Sequence, residues 1–167
     1  VWIGTTEGLC YLENNKITLV NVLKNEHINC LYYTLENGIW IGTNNGLFNL
    51  KNGELTLFTT LEGLSHNSVS CMSKNTLTNE LFIGTQNGLT VLNLKTKKTL
   101  NYHVNNGLLD ETVTAITSDE NGIVWVGGKN GLLSFDGKEF SYFTIRQDNN
   151  SNNILSLLID YEKNLWV

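Results

Sequence analysis

The sequence predicts an all-β fold, a β-propeller segment of four-stranded antiparallel blades, on three observations. A short pattern recurs as Trp2-Ile3-Gly4-Thr5, Trp40-Ile41-Gly42-Thr43, Phe82-Ile83-Gly84-Thr85 and Trp125-Val126-Gly127-Gly128, with Trp166-Val167 opening a fifth copy. The spacings are 38, 42, 43 and 41 residues, the period of a four-stranded blade and longer than a leucine-rich repeat. Each copy is followed at fixed distance by a Gly-Leu pair, at Gly8-Leu9, Gly46-Leu47, Gly88-Leu89 and Gly131-Leu132. Finally, proline is absent while glycine numbers 15, so tight turns must come from Asn and Gly, which suits hairpins.

The copy from Thr112 onward shows each strand in order. The β-branched run Thr112-Val113-Thr114-Ala115-Ile116-Thr117 is the innermost strand. Asp119-Glu120-Asn121-Gly122 turns the chain into Ile123-Val124-Trp125-Val126, an unbroken apolar strand expected where neighbouring blades cover both faces. Lys129-Asn130-Gly131 turns again, with Asn-Gly expected to supply positive φ angles, into Leu132-Leu133-Ser134-Phe135. After Asp136-Gly137 comes the outer strand Glu139-Phe140-Ser141-Tyr142-Phe143, partly alternating because one side is wetter. By alignment, inner strands are expected near residues 28–33, 69–73, 113–118 and 154–159. The organisation is then one propeller segment over 1–167, with repeats 2–39, 40–81, 82–124 and 125–165, and 166–167 beginning a fifth. Both ends fall at the same point of the repeat. The expectation is therefore a four-repeat excerpt of a larger propeller whose remaining blades are partners, with a closed four-bladed ring as the alternative. Cut ends of this kind are expected to leave apolar faces that favour self-association or a homodimer.

Composition removes several functions. The 16 acidic side chains outnumber the 11 basic ones, giving a net charge of −5, and Arg146 is the sole arginine; nucleic acid is not an expected partner. No apolar run is long enough to cross a bilayer, so this segment is expected to make no membrane contact. The tryptophan column Trp2, Trp40, Phe82, Trp125 and Trp166 reads as packing between blades, with Trp40, Phe82 and Trp125 largely buried and the glycine two residues on admitting the neighbouring blade.

No catalytic constellation stands out. Cys30, Cys71, Ala115 and Ser156 share one inner-strand column that wants a small side chain, and Cys10 lies on a third strand, so no disulfide is expected. His27, His66 and His103 occupy different repeat positions without metal-ligand spacing, and Asp119, Glu120 and Asp160 sit in a turn where a short carboxylate caps local backbone. The chain is expected to be no enzyme, to bind no metal and to need no cofactor. Binding is instead expected at one mouth of the axial channel, on loops entering the inner strands: Glu26 and His27, His66 and Asn67, Asp110 and Glu111, Asn152 and Asn153, with Asn44, Gln86 and Lys129 further out. These loops vary most between repeats, as Lys24-Asn25-Glu26-His27 against Arg146-Gln147-Asp148-Asn149 shows. The set is polar and nearly neutral, which suits a carbohydrate, another small molecule or a peptide better than a phosphorylated ligand.

The string Asp119-Glu120-Asn121-Gly122-Ile123-Val124-Trp125-Val126-Gly127, with Asn130-Gly131-Leu132 after it, resembles the two-component regulator propeller repeat. So do Trp40-Ile41-Gly42-Thr43-Asn44-Asn45-Gly46-Leu47 and Gly63-Leu64-Ser65-His66-Asn67-Ser68-Val69. Phe82 replaces Trp and Gly128 replaces Thr, and the Gly-Leu before the inner strand is lost from the first and last repeats. The resemblance implies an extracytoplasmic, ligand-sensing propeller of a bacterial membrane regulator, the ligand a glycan or its breakdown product, with a histidine kinase or other output domain elsewhere in such proteins. The competing expectation is a non-catalytic scaffold whose face docks a protein partner or dimerises.

Overall fold

A computed structural model of the protein describes residues 1–143 and 152–167. Strands follow the expected order. Blade one is a three-stranded sheet of β1 (Trp2–Thr5), β2 (Gly8–Glu13) and β3 (Lys16–Leu19). Three complete antiparallel sheets follow: blade two of β4 (Ile28–Thr34), β5 (Gly38–Thr43), β6 (Leu47–Lys51) and β7 (Glu54–Phe58), blade three of β8 (Val69–Lys74), β9 (Glu80–Thr85), β10 (Gly88–Asn93) and β11 (Thr99–Tyr102), and blade four of β12 (Val113–Ser118), β13 (Val124–Gly128), β14 (Gly131–Phe135) and β15 (Phe140–Phe143). A two-stranded ladder, β16 (Leu158–Ile159) with β17 (Leu165–Trp166), begins blade five. Each sequence repeat thus gives its first three strands to one sheet and its last to the next.

The expected inner strand at 154–159 forms a ladder only at Leu158–Ile159. Its partner strand runs over Leu165–Trp166, so Ile154 to Leu157 have no strand opposite them. Arg146 to Asn149, the loop ahead of it, lie outside the described residues. Short 3₁₀ turns at Asn21–Leu23, Thr60–Glu62 and Val104–Asn106 connect the outer strands to the next inner ones. Each delivers a buried leucine, Leu23, Leu64 or Leu108, so the first loop keeps this anchor although it lacks the Gly-Leu pair.

The core lies between blades. Trp40 is fully enclosed with Leu64, Val69, Leu81 and Leu92, and Phe82 with Val113, Val124 and Phe135. Burial of each such ring contributes on the order of 3 kcal/mol. The expectation of equal burial fails at Trp125, which is half-buried against Phe143, 5.3 Å between ring centroids. Among the described residues its blade is followed by a two-stranded ladder, too short to cover the ring. Trp2 and Trp166, at 36% and 61% exposure, are likewise incompletely covered.

The glycine of the repeated pattern admits the next blade. A Cβ on Gly84 would stand 2.5 Å from Cys71 Sγ and 2.7 Å from Val113 Cγ1, inside van der Waals contact. Gly4, Gly42 and Gly127 face Ile28, Val69 and Ile154 in the same way. The threonine after it has a second task. Thr43 Oγ1 donates to Gly46 O at 2.9 Å and accepts from Asn45 N at 3.0 Å, and Thr85 repeats both contacts with Gly88 O and Asn87 N. In the Asn45-Gly46 and Asn87-Gly88 turns only the glycine takes positive φ, the asparagine expected to share that role being held by the threonine instead, whereas at Asn52-Gly53 both residues take it.

Candidate functional site

The entry loops and the β5–β6, β9–β10 and β13–β14 turns lie on one face, as antiparallel order requires. Here Glu26 Oε2 accepts from Asn45 Nδ2 at 3.0 Å. His27 Nδ1 donates to Asn29 Oδ1 at 2.9 Å. The Asn29 amide in turn reaches Asn44 Oδ1 at 2.9 Å and Val69 O at 2.8 Å. Ser68 Oγ also donates to Asn44, at 3.5 Å. Glu26, His27, Asn29, Asn44 and Asn45 therefore form one patch reaching from blade two to blade three.

The other expected residues are not drawn into that patch. His66 Nδ1 accepts from Ser68 N at 3.0 Å, and Asn67 Oδ1 accepts from Thr60 N at 2.9 Å, so both brace their own loop. Glu111 stands 3.4 Å from His103 Nδ1, and its other oxygen accepts from Val104 N, also at 3.4 Å. Asp110 accepts from Asn130 N at 2.6 Å and from Asn130 Nδ2 at 2.5 Å. It thereby takes over for blade four the acceptor half of what Thr43 and Thr85 do for blades two and three, because Gly128 holds the threonine position; a Cβ on Gly128 would meet Asp110 Oδ2 at 2.6 Å. Asn152 is half-buried and Asn153 exposed just before Ile154. Gln86 joins through backbone, its N–H donating to Ser68 O and its carbonyl accepting from Thr112, while Lys129 is exposed.

Sequence reasoning missed the residue that follows the first position of each inner strand. The β4–β5, β8–β9 and β12–β13 ladders all slip by one residue there, and the bulged side chain crosses to the neighbouring blade. Asn29 donates to Val69 O, Ser70 to Val113 O at 2.5 Å and Thr114 to Ile154 O at 2.5 Å. The signal was present as a polar column at positions 29, 70 and 114. Leu155 ends it.

The three cysteines are free thiols. Burial, with the Cys71 thiol nearby, pushes the Cys30 thiol far above its ordinary range, and burial pushes Cys71 up to about 12. Neither is activated as a nucleophile. The turn carboxylates act on backbone: Asp119 Oδ1 accepts from Asn121 N and Ile123 N, and Asp160 accepts from Glu162 N, Asn164 N and the Trp166 indole, the last at 2.7 Å. Those bonds, the indole's foremost, hold the Asp160 carboxyl below the usual range. No His, Cys, Asp and Glu cluster able to hold a metal ion occurs among the described residues, and none of their helices is long and apolar enough to cross a membrane.

A family model of the two-component regulator propeller matches residues 107–130. Among solved structures, the extracellular domain assigned to hybrid two-component system BT3049 of B. thetaiotaomicron superposes with a TM-score of 0.83 at 25% identity, over 99% of this chain and 23% of its own. The corresponding domain of BT4673 from the same organism gives 0.82 at 20% identity, again over 99% and 23%. The chain thus spans about a quarter of the ectodomains it matches. Virginiamycin B lyase from Staphylococcus aureus, at 14% identity and TM-score 0.76 over 99% of this chain and 58% of its own, shares the fold. No curated protein matches the sequence. The two-component regulator propeller repeat is thus matched at residues 107–130, and the fold of nearly the whole chain is shared with these solved propellers.

Proposed function

We propose that the chain is a sensory β-propeller segment on the extracytoplasmic side of a bacterial two-component-type regulator, and that its entry-loop face binds a glycan or a glycan breakdown product. The observation that carries the reading is the superposition of nearly the whole chain on extracellular domains assigned to hybrid two-component systems. The patch of Glu26, His27, Asn44 and Asn45 supports a hydroxyl-rich ligand, since amide, imidazole and carboxylate groups alternate as donors and acceptors without a concentrated charge. His66, Asn67, Asp110, Glu111, Asn152 and Asn153 complete the rim in this reading.

The scaffold reading draws on a different observation. Asn67, Asp110 and Glu111 are engaged by their own or adjoining loops, which gives a preformed polar surface of the kind protein partners use. Titration calorimetry of the protein against a panel of neutral oligosaccharides tests the first reading. Saturable binding to one member, lost when Glu26, His66, Asn67 and Glu111 are all replaced by Ala with little change in melting temperature, supports it. Undiminished binding in that variant places recognition elsewhere.

A further inference from the structure

On the face opposite the entry loops, blades two and three part to leave a cleft of about 350 Å³. Its wall from blade two carries Asn49, Lys51, Glu54, Thr56 and Phe58, and blade three contributes Lys97. Lys97 comes from a hairpin longer than its counterparts. Six residues, 93–98, separate the paired Leu92 and Thr99, against four, 136–139, between Phe135 and Phe140. Lys97 sits at φ 60° in that added length and places its ammonium 5.3 Å from the centroid of the buried Trp40 ring.

Three observations mark this cleft as built for something other than packing. First, among the described residues Lys51, Glu54, Thr56 and Lys97 make no side-chain hydrogen bond or ion pair; the two ion pairs present, His103–Glu111 and Lys163–Glu120, lie elsewhere. Lys51 and Glu54 are direct cross-strand partners and still do not join. Second, Lys51 and Lys97 line the same cleft from facing blades, and burial and then the Lys51 charge hold the Lys97 ammonium below its ordinary pKa. Third, the Trp40 indole N–H is buried with no partner, a group worth roughly 1–3 kcal/mol when left unsatisfied. Phe58, packed on that indole at 5.7 Å, and Lys97 both line the cleft, so the orphan donor and the open space share two walls.

We propose that this inter-blade cleft binds a small hydroxylated organic acid, its carboxylate held between Lys51 and Lys97 and its hydroxyls by Asn49, Thr56 and Glu54 beside Phe58. The carboxylate gives an ion-pair partner to two ammonium groups that form none within the described residues. Asn49 spends both its N–H groups on Asn37 O and Ile39 O, at 2.8 and 3.2 Å, which leaves Oδ1 to accept a hydroxyl. The site is separate from the entry-loop face and stands whether or not that face binds a glycan.

The test is calorimetric titration of the protein with gluconate, with sorbitol as the uncharged match of the same carbon and hydroxyl framework, and with inorganic sulfate. Gluconate is expected to bind saturably and at least tenfold more tightly than sorbitol or sulfate. Lys51→Gln with Lys97→Gln lowers that affinity tenfold or more, and Glu54→Gln, which removes the one carboxylate of the cleft, raises it severalfold. The four-alanine variant of the entry loops leaves it unchanged. Equal affinity for sorbitol, equal affinity for sulfate, or gluconate binding indifferent to the lysine changes overturns the proposal. Should the lysine variant fail to fold, unchanged or weaker binding by Glu54→Gln does so alone.

Discussion

Blades two and three meet across Trp40, Asn49 and Leu92, while blades three and four meet across Phe82, Val91 and Phe135 at the same repeat positions. The second joint is closed by rings. Phe135 packs on Phe82, Tyr102 and Phe140 at 6.1, 5.3 and 4.7 Å, and Tyr102 meets Phe140 edge-on at 5.1 Å. In the first joint the places of Val91 and Phe140 are taken by Asn49 and Thr99, and the Trp40 indole, with Phe58 on it, does the filling. Two joints of one repeat thus solve the same packing problem differently: one spends its outer third on aromatic contact, the other keeps it open and lines it with polar groups. A repeat constrains the inner strands, and the outer ones are free to acquire a binding surface.

The largest expected effect breaks the ring-filled joint. Phe135→Ala should cost about 3–5 kcal/mol in urea denaturation, because the cavity it leaves is hemmed by three other rings. Thr56→Ala, across the open joint, should change stability by less than about 0.5 kcal/mol. Comparable losses from both would mean that the two joints are packed alike.

A middle-sized effect separates blade four from blade three at their turns. Asp110→Ala removes two charge-assisted hydrogen bonds to Asn130 and should cost about 1–2 kcal/mol by thermal or chemical melts. Adding Gly128→Thr restores the hydroxyl that Thr85 supplies in blade three, so the double variant should recover most of the loss. Failure of that rescue would show that Asp110 does more than replace a threonine.

The smallest effect concerns the orphan indole. Thr34 stands where Asp160 stands in blade five, each two residues beyond the partner of its tryptophan, and Asp160 accepts the Trp166 N–H. Thr34→Asp should pair Trp40 Nε1 and raise stability by about 1 kcal/mol, read as a higher denaturation midpoint with a downfield shift of the Trp40 indole proton. An unmoved indole resonance would show that the carboxylate does not reach it.

The blades were legible because Trp40, Gly42 and Thr43 each answer a requirement that recurs every period: a ring to fill the joint, no side chain where Val69 enters, a hydroxyl to clasp the turn. Trp125 was misjudged since its burial depends on the next blade's strands, not on its own surroundings in sequence. For loop residues such as His66 and Asn67, polarity alone did not show that they brace their own loops. The cleft was illegible for a different reason. It arises from two extra residues near Lys97 and from small side chains at Asn49 and Thr99, positions that look unremarkable until strands fifty residues apart are laid together.

The bulged donors at Asn29, Ser70 and Thr114 carry one more implication. Each of the three joints from blade two to blade five is made from a hydroxyl or amide given to a main-chain carbonyl, and a branched side chain resting on a glycine. Nothing in that fastening depends on which blade supplies which half. Blades joined this way are interchangeable modules: duplicating or deleting one of blades two to four in the gene leaves these fastenings chemically intact, so such a propeller can lengthen or shorten by entire blades without having to redesign its hub.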